Sequence, residues 1–170
     1  MSDVATEILD AAERRMRVGG FGGFSHREIA AEVGIKSSSV HYHFPTKDKL
    51  AAAVIRRYTD HFSELIDRRL EMEPDPVKAW TDTFRGTVDA ERRICPCVVL
   101  AAGTLDLPPE VAAEVFRFFT MCIGKLAEAR LSSNAAAELL STLTGAMVVS
   151  NALHDASLFD RATGELPDVA

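Results

Sequence analysis

An all-α fold is what this chain of 170 residues predicts: an N-terminal three-helix helix-turn-helix unit joined by a long helix to a second α-helical unit. Three observations carry it. Apolar residues recur at spacings of three and four along almost the whole chain, and no run alternates as a half-buried strand would. Between Ile29 and Lys47 two short amphipathic segments meet at Gly34. An acid- and Pro-rich break, Glu71-Met72-Glu73-Pro74-Asp75-Pro76, separates them from further apolar stripes.

The first helix carries Val4, Ile8, Ala11, Ala12 and Met16 and ends at Gly19-Gly20. The glycine-rich stretch that follows is not a phosphate-cradling loop, because no strand precedes it and no Gly-Lys-Ser/Thr follows. It reads as a turn whose Phe21 and Phe24 anchor a small core. Ser25 and Glu28 form a capping box for the second helix. Ile29, Ala30 and Val33 share one face of that helix, and Gly34 ends it, since a C-cap often needs a positive φ that glycine adopts cheaply. Ile35, Val40 and Phe44 close the apolar side of the third helix, Pro45 stops it, and Thr46 caps the next.

A long helix follows over about 47–70, with Leu50, Val54, Tyr58, Phe62, Leu65 and Leu70 on one stripe. Asp75 and Pro76 suit the cap and first turn of a helix over about 76–91. The segment 92–107 is less regular, with a short helix after Pro96. Val111, Val115, Phe118, Phe119, Cys122 and Leu126 stripe a helix over about 109–130, and a turn over 131–134 leads to a last helix over about 135–154. The tail beyond Leu158 reads as frayed.

The third helix shows an unusual outer face. Between Lys36 and Lys47 it carries Ser-Ser-Ser and His-Tyr-His with no acid, whereas a solvated face ordinarily mixes Glu and Lys. These are groups that hydrogen-bond phosphates and base edges, as the second helix of a helix-turn-helix must in a DNA groove. Ser37, Ser38, Ser39 and Tyr42 are the candidates for base edges. Lys36, His41, His43 and Lys47 are candidates for phosphates. Ser25, His26 and Arg27 lie at a helix N-terminus, where free amides and the dipole favour phosphate, and Arg27 has the reach for a base edge too. The competing readings are an ordinary helical hairpin and, for His43, a histidine packed beside Phe44.

At these residues the chain resembles the tetracycline-repressor-like (TetR-like) family of bacterial transcription regulators. The resemblance runs from about Thr6 to Leu50 and rests on the Ile29-Ala30 to Gly34 helix and on Tyr42-His43-Phe44-Pro45-Thr46-Lys47-Asp48-Lys49-Leu50. It makes Lys47 the firmest phosphate contact. Three positions depart from the family pattern: Lys36 stands where a Ser cap is usual, with Ser37 as the alternative cap; Ser38 replaces Gly; and His41 replaces Tyr. These changes bear on the sequence read more than on DNA binding itself.

The resemblance implies a DNA-binding domain over residues 1–50 and a helical ligand-binding and dimerisation domain over 51–170. It implies a homodimer joined through the last two long helices, where Gly145-Ala146 permits close approach, and an unidentified small-molecule effector that releases the DNA. Repression is the family default. Pocket candidates are Trp80, Phe84, Cys97, Val98, Leu100, Phe116, Phe119, Met121, Met147, Asn151 and His154, most of which serve equally as core. Two-fold dimers of such units place their recognition helices about 34–36 Å apart or a multiple of that, so a palindromic double-stranded operator is expected.

Composition bounds the alternatives. The net charge is −6, but residues 1–60 hold nine Lys and Arg against eight Asp and Glu, a formal +1, and the remainder carries −7. Positive charge is thus relatively concentrated where DNA would bind, and affinity should fall with salt. Cys95, Cys97 and Cys122 do not form a disulfide framework or a zinc-ligand spacing. With Arg92 and Arg93 nearby, Cys95-Pro96-Cys97 raises an alternative: a thiol-based redox or electrophile sensor acting through Cys97, paired with Cys122 or across subunits. No carboxylate pair, nucleophile triad or cofactor loop suggests an enzyme, and no cofactor or metal is expected. No signal peptide or membrane-length apolar run is seen, so a cytoplasmic location is expected.

Overall fold

The computed structural model describes residues 3–88 and 93–164, and every regular element among them is helical. The chain runs α1 (Asp3–Gly19), a 3-10 turn (Gly20–Gly23), α2 (His26–Val33), α3 (Ser37–His43), α4 (Lys47–Met72), α5 (Pro76–Gly86), α6 (Pro96–Ala101), a second 3-10 turn (Thr104–Asp106), α7 (Pro109–Glu128), α8 (Ser133–Ala152) and α9 (Ala156–Thr163).

Helices α1, α2, α3 and the start of α4 enclose Ile8, Leu9, Ala12, Met16, Phe24, Ile29, Val40 and Leu50, all buried. Two glycines shape this unit. Gly34 adopts φ +76° as the C-cap of α2, and its N–H bonds the Ala30 carbonyl. Gly23 lies so near α1 that a Cβ there would stand 2.8 Å from the Arg15 carbonyl oxygen, so only glycine lets the turn close.

Helix α4 leaves this unit and packs along α7. Their interface continues into an aromatic core, in which Phe62 meets Phe118 at 5.2 Å, Phe84 at 5.4 Å and Trp80 at 6.0 Å between ring centroids. An ionic clasp fastens the outside: Glu114, 8 % exposed, accepts from Arg56 Nε at 2.8 Å and from Arg117 Nε at 2.9 Å, and Arg117 also reaches Asp60. Helix α6 touches α1 and the first 3-10 turn, so it borders both units.

Several boundaries differ from the periodicity. Helix α5 ends at Gly86, and the expected stretch to 91 runs into residues outside those described, as does Arg92. Helix α7 stops at Glu128 because Arg130 turns to φ +69° and the Leu131 N–H bonds back to the Leu126 carbonyl. Helix α8 begins at Ser133 because Ser132 caps it, which shortens the expected turn. Of the tail expected to fray beyond Leu158, the residues to 163 belong to α9, which Asp155 caps through the Ser157 N–H and Phe159 anchors at 5 % exposure, and residues 165–170 lie outside those described. Eight residues were too short a pattern to stand out from the sequence.

Candidate nucleic-acid interface

The Ser25 cap is formed, in a variant arrangement. Its Oγ accepts from the Glu28 N–H at 3.3 Å and donates to Glu28 Oε2 at 2.8 Å, so the box closes between side chains. Lys36, extended at φ −74°, ψ 144°, occupies the cap position of α3 without a side-chain bond, and Ser37 is already helical; Ser37 is therefore not the cap.

Val40 alone of α3 is fully buried. Turning outward are Lys36, Ser38, His41 and Tyr42, the last 84 % exposed, with Ser37, Ser39 and His43 half-buried beside them. Arg27 is exposed on α2, and Ser25 is half-buried at its cap. An exposed tyrosine of this size on a seven-residue helix serves no core. The Tyr42 ring meets His43 edge-on at 5.2 Å, and His43 lies 6.5 Å from Phe44, so His43 braces Tyr42 as well as edging the surface. The ammonium of Lys47 sits over Phe21 at 4.5 Å and Phe24 at 5.1 Å, which holds it at the start of α4, where the helix dipole already favours an anion.

His26 departs from expectation. It is 8 % exposed, its Nε2 donates to the Phe44 carbonyl at 2.8 Å, and its ring stacks on His41 at 4.3 Å with an interplanar angle of 7°. It props α3 against α2 instead of presenting itself to a phosphate. His41 stays exposed and its Nδ1 bonds the Pro45 carbonyl at 3.3 Å, leaving Nε2 for an outside partner. No local pattern foretold this stack, because its partners are fifteen residues apart in sequence.

Both acids of α2 are already engaged, Glu28 by Ser25 and Arg15 and Glu32 by two arginines. Glu32 accepts from Arg15 at 2.6 Å and Arg14 at 2.9 Å. Burial pushes its pKa up, but the bonds from Arg15 and Arg14 outweigh this and hold it below the usual carboxylate range. The ion pairs tie α2 to α1.

The expected pocket residues differ widely in burial. Trp80, Phe84, Cys97 and Met147 are fully buried core, Phe119 is half-buried, and Phe116 is 73 % exposed. Trp80 Nε1 and the Thr81 hydroxyl are buried without a hydrogen-bond partner among the described residues. Asn151 and His154 are exposed, and both line a surface groove shared with Arg85, Phe159 and Asp160.

The cysteines are free thiols, all buried. Burial raises the pKa of Cys97 and Cys122 well above the ordinary thiol range. Burial acts on Cys95 too, but bonds to its sulfur from Cys97, Tyr58 and the backbone N–H groups of Val98 and Cys97 bring it below the ordinary value.

An exposed, acid-free recognition helix set by a glycine turn against a capped partner defines a helix-turn-helix DNA-binding regulator. Residues 8–54 match the family of bacterial regulatory proteins, tetR family. The whole fold agrees: a TetR-family transcriptional regulator from Agrobacterium tumefaciens superposes with a TM-score of 0.88 at 26 % identity, over 95 % of this chain and 94 % of that one. A TetR regulator from Legionella pneumophila gives 0.86 at 23 % identity, over 98 % and 96 % of the two chains. E. coli NemR in its reduced form gives 0.84 at 17 %, over 98 % and 97 %. No curated protein matches the chain. The N-terminal segment 8–54 is thus similar to the DNA-binding part of the tetR family, and the whole chain is similar in fold to TetR-family transcriptional regulators.

Proposed function

We propose that this protein is a dimeric, effector-released repressor that acts without catalysis in the cytoplasm, with residues 1–50 reading DNA and residues 51–170 dimerising and responding to a ligand. The observation that carries the DNA half is the outward face of α3, where Tyr42, Ser38 and His41 project together with no acid among them. Ser37, Ser38, Ser39 and Tyr42 take base edges. Lys36, His41, His43, Lys47, Arg27 and the Ser25 cap take phosphates, which set register without reading sequence.

Dimerisation is supported by an apolar surface that the single chain leaves bare. Helix α7 exposes Phe116, Ile123, Gly124 and Ala127 at helical spacing, and α8 exposes Ala137, Ser141, Gly145, Val148 and Ala152. Small residues on α8 allow close helix approach, and two such pairs make a four-helix bundle. Among the described residues no helix is long and apolar enough to cross a membrane, so these faces do not form a membrane span.

The test is binding of the purified protein to a labelled fragment of its own upstream DNA over a salt series, beside a Tyr42→Ala/Lys47→Ala variant. Tight, salt-sensitive, sequence-selective binding that the variant loses is the expected result. Equal weak binding to random DNA, with no selective site found in a genome-wide selection, would overturn the reading.

A thiol-sensing reading is favoured by one observation, the lowered pKa of Cys95 beside Tyr58 at the entry to α6. It differs from the effector reading in one respect: Cys95→Ser would abolish the response to peroxide or an electrophile and leave operator binding intact.

A further inference from the structure

Helices α5, α8 and α9 enclose a surface groove of about 220 Å³. Val88, Ile94 and Phe159 line it with apolar surface, and Asn151 and His154 add polar groups. Its own Arg85 occupies the most distinctive part. The Arg85 guanidinium carbon lies 5.7 Å from the centre of the Phe159 ring, its Nε donates to Asp160 Oδ1 at 2.8 Å, and its Nη1 donates to Asp82 Oδ1 at 2.7 Å.

This arrangement is a cation site already filled from within. An aromatic face and a carboxylate converge on one planar cation, the combination by which proteins hold such groups. Two carboxylates share that cation. If another cation took Asp160 and the Phe159 face, Arg85 would keep Asp82 three residues before it on α5. No buried charge would be stranded, because the Arg85 and Asp160 side chains are 47 % and 59 % exposed. An anionic ligand meets the reverse situation: it would compete with both Asp82 and Asp160 for one guanidinium, in a part of the chain whose formal charge is −7.

We propose that this groove binds a small apolar cation of the amidinium or guanidinium type, with its charge on Asp160, its flat face on Phe159 and its apolar body against Val88 and Ile94. Binding displaces the Arg85 guanidinium and so breaks the tie between α5 and α9. Binding stands by itself; its use as an effector signal rests on the regulator reading above, since α9 packs on α8, a helix of the proposed dimer bundle.

The probe is benzamidine, whose volume suits the groove, with benzamide as its neutral isostere and benzoate as its anionic one. Isothermal titration of the full chain should show benzamidine binding at least about tenfold tighter than benzamide, and no measurable benzoate binding. Asp160→Asn should weaken benzamidine about tenfold. Arg85→Ala should tighten it severalfold, because the competing side chain is gone. Circular dichroism checks that both surface variants stay folded. Benzamidine no better than benzamide, indifference to Asp160→Asn, loss of binding in Arg85→Ala, or benzoate binding that needs Arg85 would each overturn the proposal. Operator binding is measured separately without ligand. Intact operator binding with no benzamidine binding sinks the groove alone, and absent operator binding sinks the regulator reading alone.

Discussion

The Arg17 guanidinium, on α1 of the DNA-binding unit, donates through Nη1 to the Ile94 carbonyl oxygen at 3.2 Å, one residue before the thiol that opens α6. The same nitrogen reaches the Thr87 carbonyl at 3.0 Å, and Glu13 and the Tyr58 ring hold the guanidinium in place. One side chain, 11 % exposed, thus ties α1 to the segment between α5 and α6. Arg17→Lys keeps the charge but loses the planar fork. The expected outcome is a loss of about 1–3 kcal/mol in urea unfolding, since two partly buried carbonyls and Glu13 lose a shared donor. Stability unchanged within about 0.5 kcal/mol would show that the tie is dispensable.

A second contrast separates support from contact on the recognition helix. His26→Ala removes the bond to Phe44 and the face under His41, so stability should drop by about 1–3 kcal/mol and operator affinity should fall with it. Tyr42→Ala, at an 84 % exposed position, should leave the unfolding midpoint within about 0.5 kcal/mol of the parent. It should still reduce operator affinity about tenfold or more if the hydroxyl or ring meets a base edge. Parallel unfolding and DNA titration of both variants decides; a Tyr42→Ala protein that binds normally removes this residue from the interface.

The contrast also marks what the sequence could and could not tell. Caps at Ser25, Gly34, Thr46 and Asp75 were legible because each depends on a few neighbours and on backbone rules. The outer face of α3 was legible because exposure follows from the period of its one core residue, Val40. The His26–His41 stack and the Lys47 perch over Phe21 and Phe24 were not, because they depend on how helices cross. A pocket is harder to read from sequence for a related reason. Aromatic residues on apolar faces mark a core equally well, and Trp80 and Phe84 proved to be core, while the open groove drew its walls from the separate helices α5, α8 and α9.

Dimerisation makes its own prediction. Phe116 at 73 % and Val148 at 46 % exposure are large apolar groups on the surface of α7 and α8. Phe116→Asp and Val148→Asp should convert a dimer to a monomer by light scattering at micromolar concentration, with helicity retained. Selective operator binding should be lost with the dimer, because each half-site then binds alone. A variant pair that remains dimeric would exclude this surface as the interface.

The thiols provide a prediction with a defined direction in pH. The Cys95 pKa is lowered, and those of Cys97 and Cys122 are raised, so near neutral pH Cys95 holds the larger share of thiolate. An acid with a depressed pKa ionises earlier as pH rises, so Cys95 should begin to react below the pH at which an unfolded cysteine does, near about 8.5. Its burial slows every reagent, so the ordering among the three thiols, not the absolute rate, is the readout. Iodoacetamide labelling of the folded protein over a pH series, mapped by mass spectrometry, should modify Cys95 first. Cys95→Ser should remove the early phase and leave the slow labelling of the other two. If Cys97 is labelled first, the bonds from Val98, Cys97 and Tyr58 do not activate Cys95, and the thiol reading loses its support.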